Sequence, residues 1–170
     1  MNTAPFQLVA LHSSLDRTRF TSGSEPLDNY FRQQVSQDMR RRVTACYVAL
    51  TSEERVAGFY TLASTSLLLR DLPAPVEKKL PRYPTVPAVR MGRLAVALDF
   101  KGQGLGAALL ADALDRCVRS EIAAYALVVD AKDESAASFY RHHGLIALPD
   151  QVQTLFLPLA SARSAGAGAT

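Results

Sequence analysis

The sequence has little cysteine. Cys46 and Cys117 are the two in 170 residues, far apart, each in an apolar or helical stretch. Two isolated thiols give poor grounds for a disulfide and cannot alone hold a metal, so both read as packing residues and no metal is expected. Long apolar runs are also missing. Nothing approaches the ~20 residues that a membrane-crossing helix needs. The opening residues MNTAP carry neither the basic region nor the apolar core of a secretory leader. The expected setting is the cytoplasm, away from membranes. There is no internal repeat. A strong net charge is lacking too: 19 basic and 16 acidic residues leave +3.

What is present suits a soluble globular protein, with 48% hydrophobic and 21% charged residues. The length predicts one domain, residues 1–159, followed by a small-residue tail, 160–170, expected to be disordered. Basic residues are clustered rather than abundant. Arg32, Arg40, Arg41 and Arg42 form one group; Lys78, Lys79, Arg82, Arg90 and Arg93 form another. A phosphate-rich partner and an ordinary solvated surface both fit that pattern.

Residues 6–11 read as a strand. Ser22-Gly23-Ser24-Glu25 resembles a capping box, with Pro26 in the first turn of a helix. That helix puts Leu27, Tyr30, Phe31, Val35 and Met39 on one face and Arg40–Arg42 at its C-terminal end. Residues 44–51 and 55–65 suggest an antiparallel hairpin. Residues 71–87 hold five of the nine prolines and form an excursion, with a short helix over 76–80. Residues 86–96 read as a strand whose Gly92 marks a bulge or a close approach. Residues 104–121 form the strongest helix. A buried strand (124–130), a helix (133–143) stopped by Gly144, and strands over 145–148 and 152–159 follow. This order, β-α-β-β-excursion-β-α-β-α-β-β, predicts an α/β fold with a mixed central sheet.

Lys101-Gly102-Gln103-Gly104-Leu105-Gly106 lies between a strand and the strongest helix. Glycines there let the backbone approach an anion, and the free N–H groups of the first helical turn point at it. A diphosphate-bearing cofactor is the natural ligand. Gly102-x-Gly104-x-x-Ala107, with Asp130 ending the next strand, also fits a dinucleotide fingerprint. The context disagrees, because residues 97–101 separate the strand from the first glycine and little chain remains after the loop. A tight turn with no ligand is the third reading.

Residues 93–110, RLAVALDFKGQGLGAALL, resemble the acetyl-CoA motif of the GNAT acetyltransferases, with Lys101 where that family prefers Arg or Gln. Residues 133–144, DESAASFYRHHG, resemble the family's later helix, which commonly carries a tyrosine at the position of Tyr140. The resemblance implies the GNAT fold: a mostly antiparallel mixed sheet of about six or seven strands flanked by helices. It implies acetyl-CoA as cosubstrate. Leu94, Ala95 and Val96 would pair with the pantetheine, and Lys101 with the backbone of Gly102, Gln103, Gly104, Leu105, Gly106 and Ala107 would hold the pyrophosphate. The acceptor amine would attack the thioester directly, with Tyr140 as general acid. A phenol of pKa ~10 has a proton to donate at neutral pH. Many relatives carry a glutamate base on the motif strand, whereas residues 89–94 here contain no acid. An α-amine of pKa ~8 needs less help than a lysine. His142 and His143 are expected near the surface.

The N-terminal third is more specific. Phe20-x-Ser22-Gly23-x-x-x-Leu27-Asp28-x-Tyr30, followed by Gln37-Asp38-x-x-Arg41, resembles the toxin acetyltransferases of toxin–antitoxin pairs. That resemblance implies transfer to the α-amine of aminoacyl-tRNA, a homodimer, and neutralisation by a ribbon-helix-helix antitoxin. Arg40, Arg41, Arg90 and Arg93 would contact the tRNA backbone. The alternatives are a GNAT enzyme acting on a small-molecule amine or a protein N-terminus, and a non-catalytic acetyl-CoA-binding module.

Overall fold

A computed structural model describes residues 6–162. Its strands are β1 (Gln7–Ala10), β2 (Ala45–Leu50), β3 (Val56–Leu68), β4 (Thr85–Val96), β5 (Ala126–Asp130), β6 (Ile146–Leu148) and β7 (Gln151–Pro158). Its helices are α1 (Glu25–Asn29), α2 (Val35–Arg40), α3 (Ala74–Glu77), α4 (Leu105–Arg119) and α5 (Glu134–His142). The strands form one seven-stranded sheet in the order β1-β2-β3-β4-β5-β7-β6. The pair β4–β5 is parallel, whereas β1–β2, β2–β3, β5–β7 and β6–β7 are antiparallel. The expected mixed, mostly antiparallel sheet is therefore the observed one.

The chain divides into two compact units. Among the described residues, the first comprises 6–63 and 92–113, and the second 64–91 and 114–162. The core of the first gathers Leu11, Phe20, Phe31, Val35, Val48 and Phe59. Phe31 stacks on Phe59, and Phe20 meets both edge-on. The predicted helical face packs here as a whole: Phe31 and Val35 are buried, and Leu27, Tyr30 and Met39 pack against them. The core of the second gathers Leu67, Leu69, Leu72, Val86, Val128 and Phe156.

Three local expectations change. The helix after Ser24 is not uniform, because Tyr30–Gln34 form a π-helical turn between α1 and α2. The predicted capping box does not form, since the cap residue Ser24 makes no side-chain capping bond. Instead the Asp28 carboxylate accepts from the Ser22 N–H and the Ser22 hydroxyl. An acid inside the helix competes successfully for the donors that a capping Ser–Glu pair would use. The short excursion helix is α3, starting two residues before the predicted 76–80, because Pro75 suits its first turn. Of the expected tail, residues 160–162 continue a helical turn that starts at Leu159, and 163–170 lie outside the described residues.

Candidate functional site

β4 leads into the glycine loop through a short 3-10 turn, Leu98–Phe100. Gly102 and Gly104 both have φ of +80°. That region is costly for side-chain residues, so glycine is required twice within three positions. A Cβ added at either would meet nothing within 4 Å, so open space lies above the loop backbone. α4 starts immediately after, and its ladder begins with the Ala108 N–H donating to the Gly104 carbonyl. The N–H groups of the preceding first turn have no intrahelical acceptor, and the dipole makes their surroundings positive. Lys101 is exposed beside them. These features fit a diphosphate held on backbone donors.

Two contacts set the position of that helix start. Gly58 on β3 faces α4: a Cβ there would come within 2.9 Å of the Leu109 side chain and 3.0 Å of the Ala95 carbonyl. The buried Tyr60 donates its hydroxyl to Asp112 on α4 at 2.5 Å. The sequence offered only a glycine and a tyrosine inside a strand, with no sign that both meet this helix.

The loop before α1 supports the same region. Its Thr21 carbonyl accepts from the Leu98 N–H, and a Cβ on Gly23 (φ +92°) would lie 3.2 Å from Leu98 and 4.0 Å from the Lys101 ammonium. Asp28, 3% exposed, fixes this loop through Ser22, and Arg32 donates two bonds to the Phe20 carbonyl. The Phe20–Tyr30 motif thus builds one wall beside the glycine loop.

Leu94, Ala95 and Val96 end β4, with Ala95 buried. The β4–β5 ladder runs from Ala88 opposite Ala126 to Met91 opposite Val129, so the three residues lie past its end. Arg93, on the same stretch, places its guanidinium carbon over the Tyr30 ring, 3.4 Å from the centroid. The Tyr30 hydroxyl donates to Asp38 at 2.7 Å, and Gln34 donates to the other oxygen. Burial and the Asp38 bond push the Tyr30 phenol up. The bonds from Tyr30 and Gln34 hold the Asp38 carboxyl below the usual range. Asp38 is therefore a fixed anion rather than a base. The π-helical turn carries Tyr30 and Gln34, so this cluster depends on a backbone feature that periodicity does not reveal.

In the second unit, Tyr140 lies on α5, 8% exposed. Asp133 caps that helix by accepting from the Ala136 N–H, and Gly144 ends it with φ of +94°. The Tyr140 hydroxyl has no hydrogen-bond partner among the described residues, and burial pushes the phenol up to about 12. His142 and His143 are exposed, as expected.

The predicted phosphate-contacting arginines are placed differently from one another. Arg40 and Arg41 are exposed at the end of α2. Arg90 pairs with Asp130, which also accepts from Thr154 at 2.8 Å. Asp130, the acid of the dinucleotide reading, is thus engaged by neighbouring strands. A cavity of about 530 Å³ in the first unit is lined by Phe20, Val56 and Ala97 with charges of both signs, and by no residue of 101–107. Its mixed charge does not select a polyanion. Among the described residues no group of His, Cys, Asp and Glu could hold a metal, and no helix is long and apolar enough to cross a membrane.

Comparison with known proteins agrees with this geometry. The family described as "Acetyltransferase (GNAT) domain" matches residues 21–154. The chain is 36% identical over 151 residues to the tRNA-acetylating toxin of Mycobacterium tuberculosis, covering 88% of this chain and 89% of that protein. Among solved structures it resembles AtaT complexed with acetyl-methionyl-tRNAfMet, with a TM-score of 0.87 and 30% identity over 95% of this chain and 99% of that one. It also resembles a Tyr-to-Phe mutant of AtaT bound to the C-terminus of the antitoxin AtaR and acetyl-CoA, with a TM-score of 0.80 and 25% identity over 95% of this chain and 98% of that one. With a family match spanning both the glycine loop and Tyr140, the chain belongs to the GNAT acetyltransferases.

Proposed function

We propose that this chain is an acetyl-CoA-dependent toxin that acetylates the α-amine of aminoacyl-tRNA, with residues 1–159 acting as one transferase domain in the cytoplasm. The observation that carries the substrate assignment is the 36% identity to a tRNA-acetylating toxin over nearly the whole of both chains. The geometry supports the chemistry. The backbone of residues 102–107 and Lys101 hold the pyrophosphate, and Leu94, Ala95 and Val96 pair with the pantetheine beyond the end of the β4–β5 ladder. Acetyl-CoA supplies the thioester. The acceptor nitrogen attacks its carbonyl carbon, a backbone N–H of the β4 segment steadies the oxyanion, the C–S bond breaks as Tyr140 protonates the departing sulfur, and the proton lost by the nitrogen passes through solvent to restore the Tyr140 phenol.

Asp38, whose oxygens are taken by Tyr30 and Gln34, is not free to act as a base. An acceptor of pKa ~8 is already partly neutral at cytoplasmic pH, so the α-amine suits the site. Arg40 and Arg41 offer exposed phosphate contacts, and Arg93 presents a guanidinium plane held by Tyr30. Arg90 contributes less, because its charge is met by Asp130. A ribbon-helix-helix antitoxin and a homodimer complete the reading, supported by likeness to a toxin bound to its antitoxin.

Incubation with labelled acetyl-CoA and a charged tRNA pool tests it directly. Label is expected on the esterified amino acid. Arg41→Glu should raise the tRNA KM several-fold, less so at high salt, with unchanged acetyl-CoA affinity. Label confined to polyamines or peptide N-termini would replace this reading with a small-amine or N-terminal acetyltransferase.

A further inference from the structure

The chain has six tyrosines, and five have a place in its packing. Tyr47 stacks on Tyr60, Tyr30 lies under Arg93, Tyr125 packs against the second core, and Tyr140 is buried. Tyr83 is 66% exposed, with no hydrogen bond or ring contact among the described residues. Leaving an aromatic ring in water forgoes the burial that usually fixes its position.

Its backbone is nevertheless well fixed. Pro81 and Pro84 bracket Arg82-Tyr83, which limits the local backbone and biases Tyr83 toward an extended conformation. The Pro84 carbonyl accepts from the Leu69 N–H, and the Leu80 N–H donates to the Glu77 carbonyl at the end of α3. Val76 and Leu80 anchor the segment on the second core. The ring is therefore presented outward by an ordered loop.

The surroundings are cationic. Lys78, Lys79 and Arg82 are exposed within five residues of the ring, and the one acid beside them, Glu77, is met by Arg82 at 3.8 Å. An exposed ring on a restrained backbone, flanked by several cations, is an arrangement that binds unpaired nucleotides: the ring stacks on a base and the cations take the phosphates. A duplex offers the phosphates but no free base face.

We propose that Tyr83, with Lys78, Lys79 and Arg82, is a stacking site for an unpaired nucleotide of the RNA substrate. The proposal rests on the tRNA reading above and adds the part of the RNA that is gripped.

The chain has no tryptophan, so Tyr83→Trp introduces a single fluorophore at the site. Being exposed, the substitution should leave the fold intact, which circular dichroism and unchanged melting verify. Titration with uncharged tRNA should quench the tryptophan. The same tRNA trimmed of its unpaired 3′ nucleotides, and a plain RNA duplex, should quench weakly or not at all. Tyr83→Leu should raise the Kd for intact tRNA by about five- to a hundredfold, the range expected for one lost base stack, and Tyr83→Phe should retain affinity. Lys78→Gln with Lys79→Gln should weaken binding in a salt-dependent way.

Equal quenching by the duplex, no quenching by any RNA, or unchanged affinity in Tyr83→Leu would overturn the stacking site. A response of the tryptophan to the antitoxin but not to RNA would also overturn it. The two readings fail separately. Acetylation of aminoacyl-tRNA by the wild-type chain without quenching sinks only the stacking site. Quenching without such acetylation keeps the stacking site and sinks the proposed acceptor.

Discussion

Burial leaves Tyr140 protonated throughout the range in which an aminoacyl ester survives. Its phenol is pushed up to about 12 by loss of water around it. A raised value makes the group a weaker acid, but in the proposed role it keeps the proton available when the thiolate leaves. Rate should therefore rise with pH as the acceptor amine loses its proton near ~8, then level off without an alkaline descent. Tyr140→Phe keeps the ring and its packing and removes the donor. Turnover should fall by ~10²–10⁴ while acetyl-CoA affinity stays near wild type. Stopped-flow thiol release over a pH series checks both, and a descending limb below about pH 9 would assign the proton to another group. The helix that carries Tyr140 and the glycine turn were legible in the sequence, because both are motifs of residue type and position. The partners of Arg90 and Asp28 were not. Arg90 meets Asp130 forty positions away, and Asp28 turns back to Ser22, and neither pairing leaves a periodic trace.

At the scale of elements, the strand and helix order was readable because alternation and helical spacing follow from burial on one face. The π-helical turn was not. It preserves the apolar face of Leu27, Phe31 and Val35 while altering the local backbone, so the pattern looks the same with or without it. The seat of α4 was also hidden. Gly58 leaves room for both the Leu109 side chain of that helix and the Ala95 carbonyl, and a larger residue must push one of them away. Gly58→Val should destabilise the fold by about 1–3 kcal/mol, as overpacking does, and should raise the acetyl-CoA KM because the helix start holds the loop. Urea denaturation with steady-state kinetics measures both. Lost stability with an unchanged KM would separate the packing of the helix from its role in binding.

Across the whole molecule, three buried acids share one pH response. Burial pushes Cys46 up to about 12, Cys117 to about 11 and Tyr140 to about 12. Each keeps its proton longer when folded than when unfolded, so the stabilisation is complete below the unfolded values, ~8.5 for a thiol and ~10 for a phenol. It is lost as pH rises toward the folded values. The melting temperature should stay level from neutrality to about pH 8 and then fall. Cys117→Ala should remove part of the fall, and a melting temperature that climbs above about pH 9 would contradict the assignment.

Among the described residues, the last strand in sequence does not lie at the edge of the sheet. β7 lies between β5 and β6 and pairs with both. A nascent chain that has not yet presented Gln151–Pro158 has β5 open on one side and β6 without its neighbour. β5 and β6 therefore complete their pairing only when Gln151–Pro158 is in place. A chain cut short before Gln151 should accordingly lose the cooperative melting of the full-length chain.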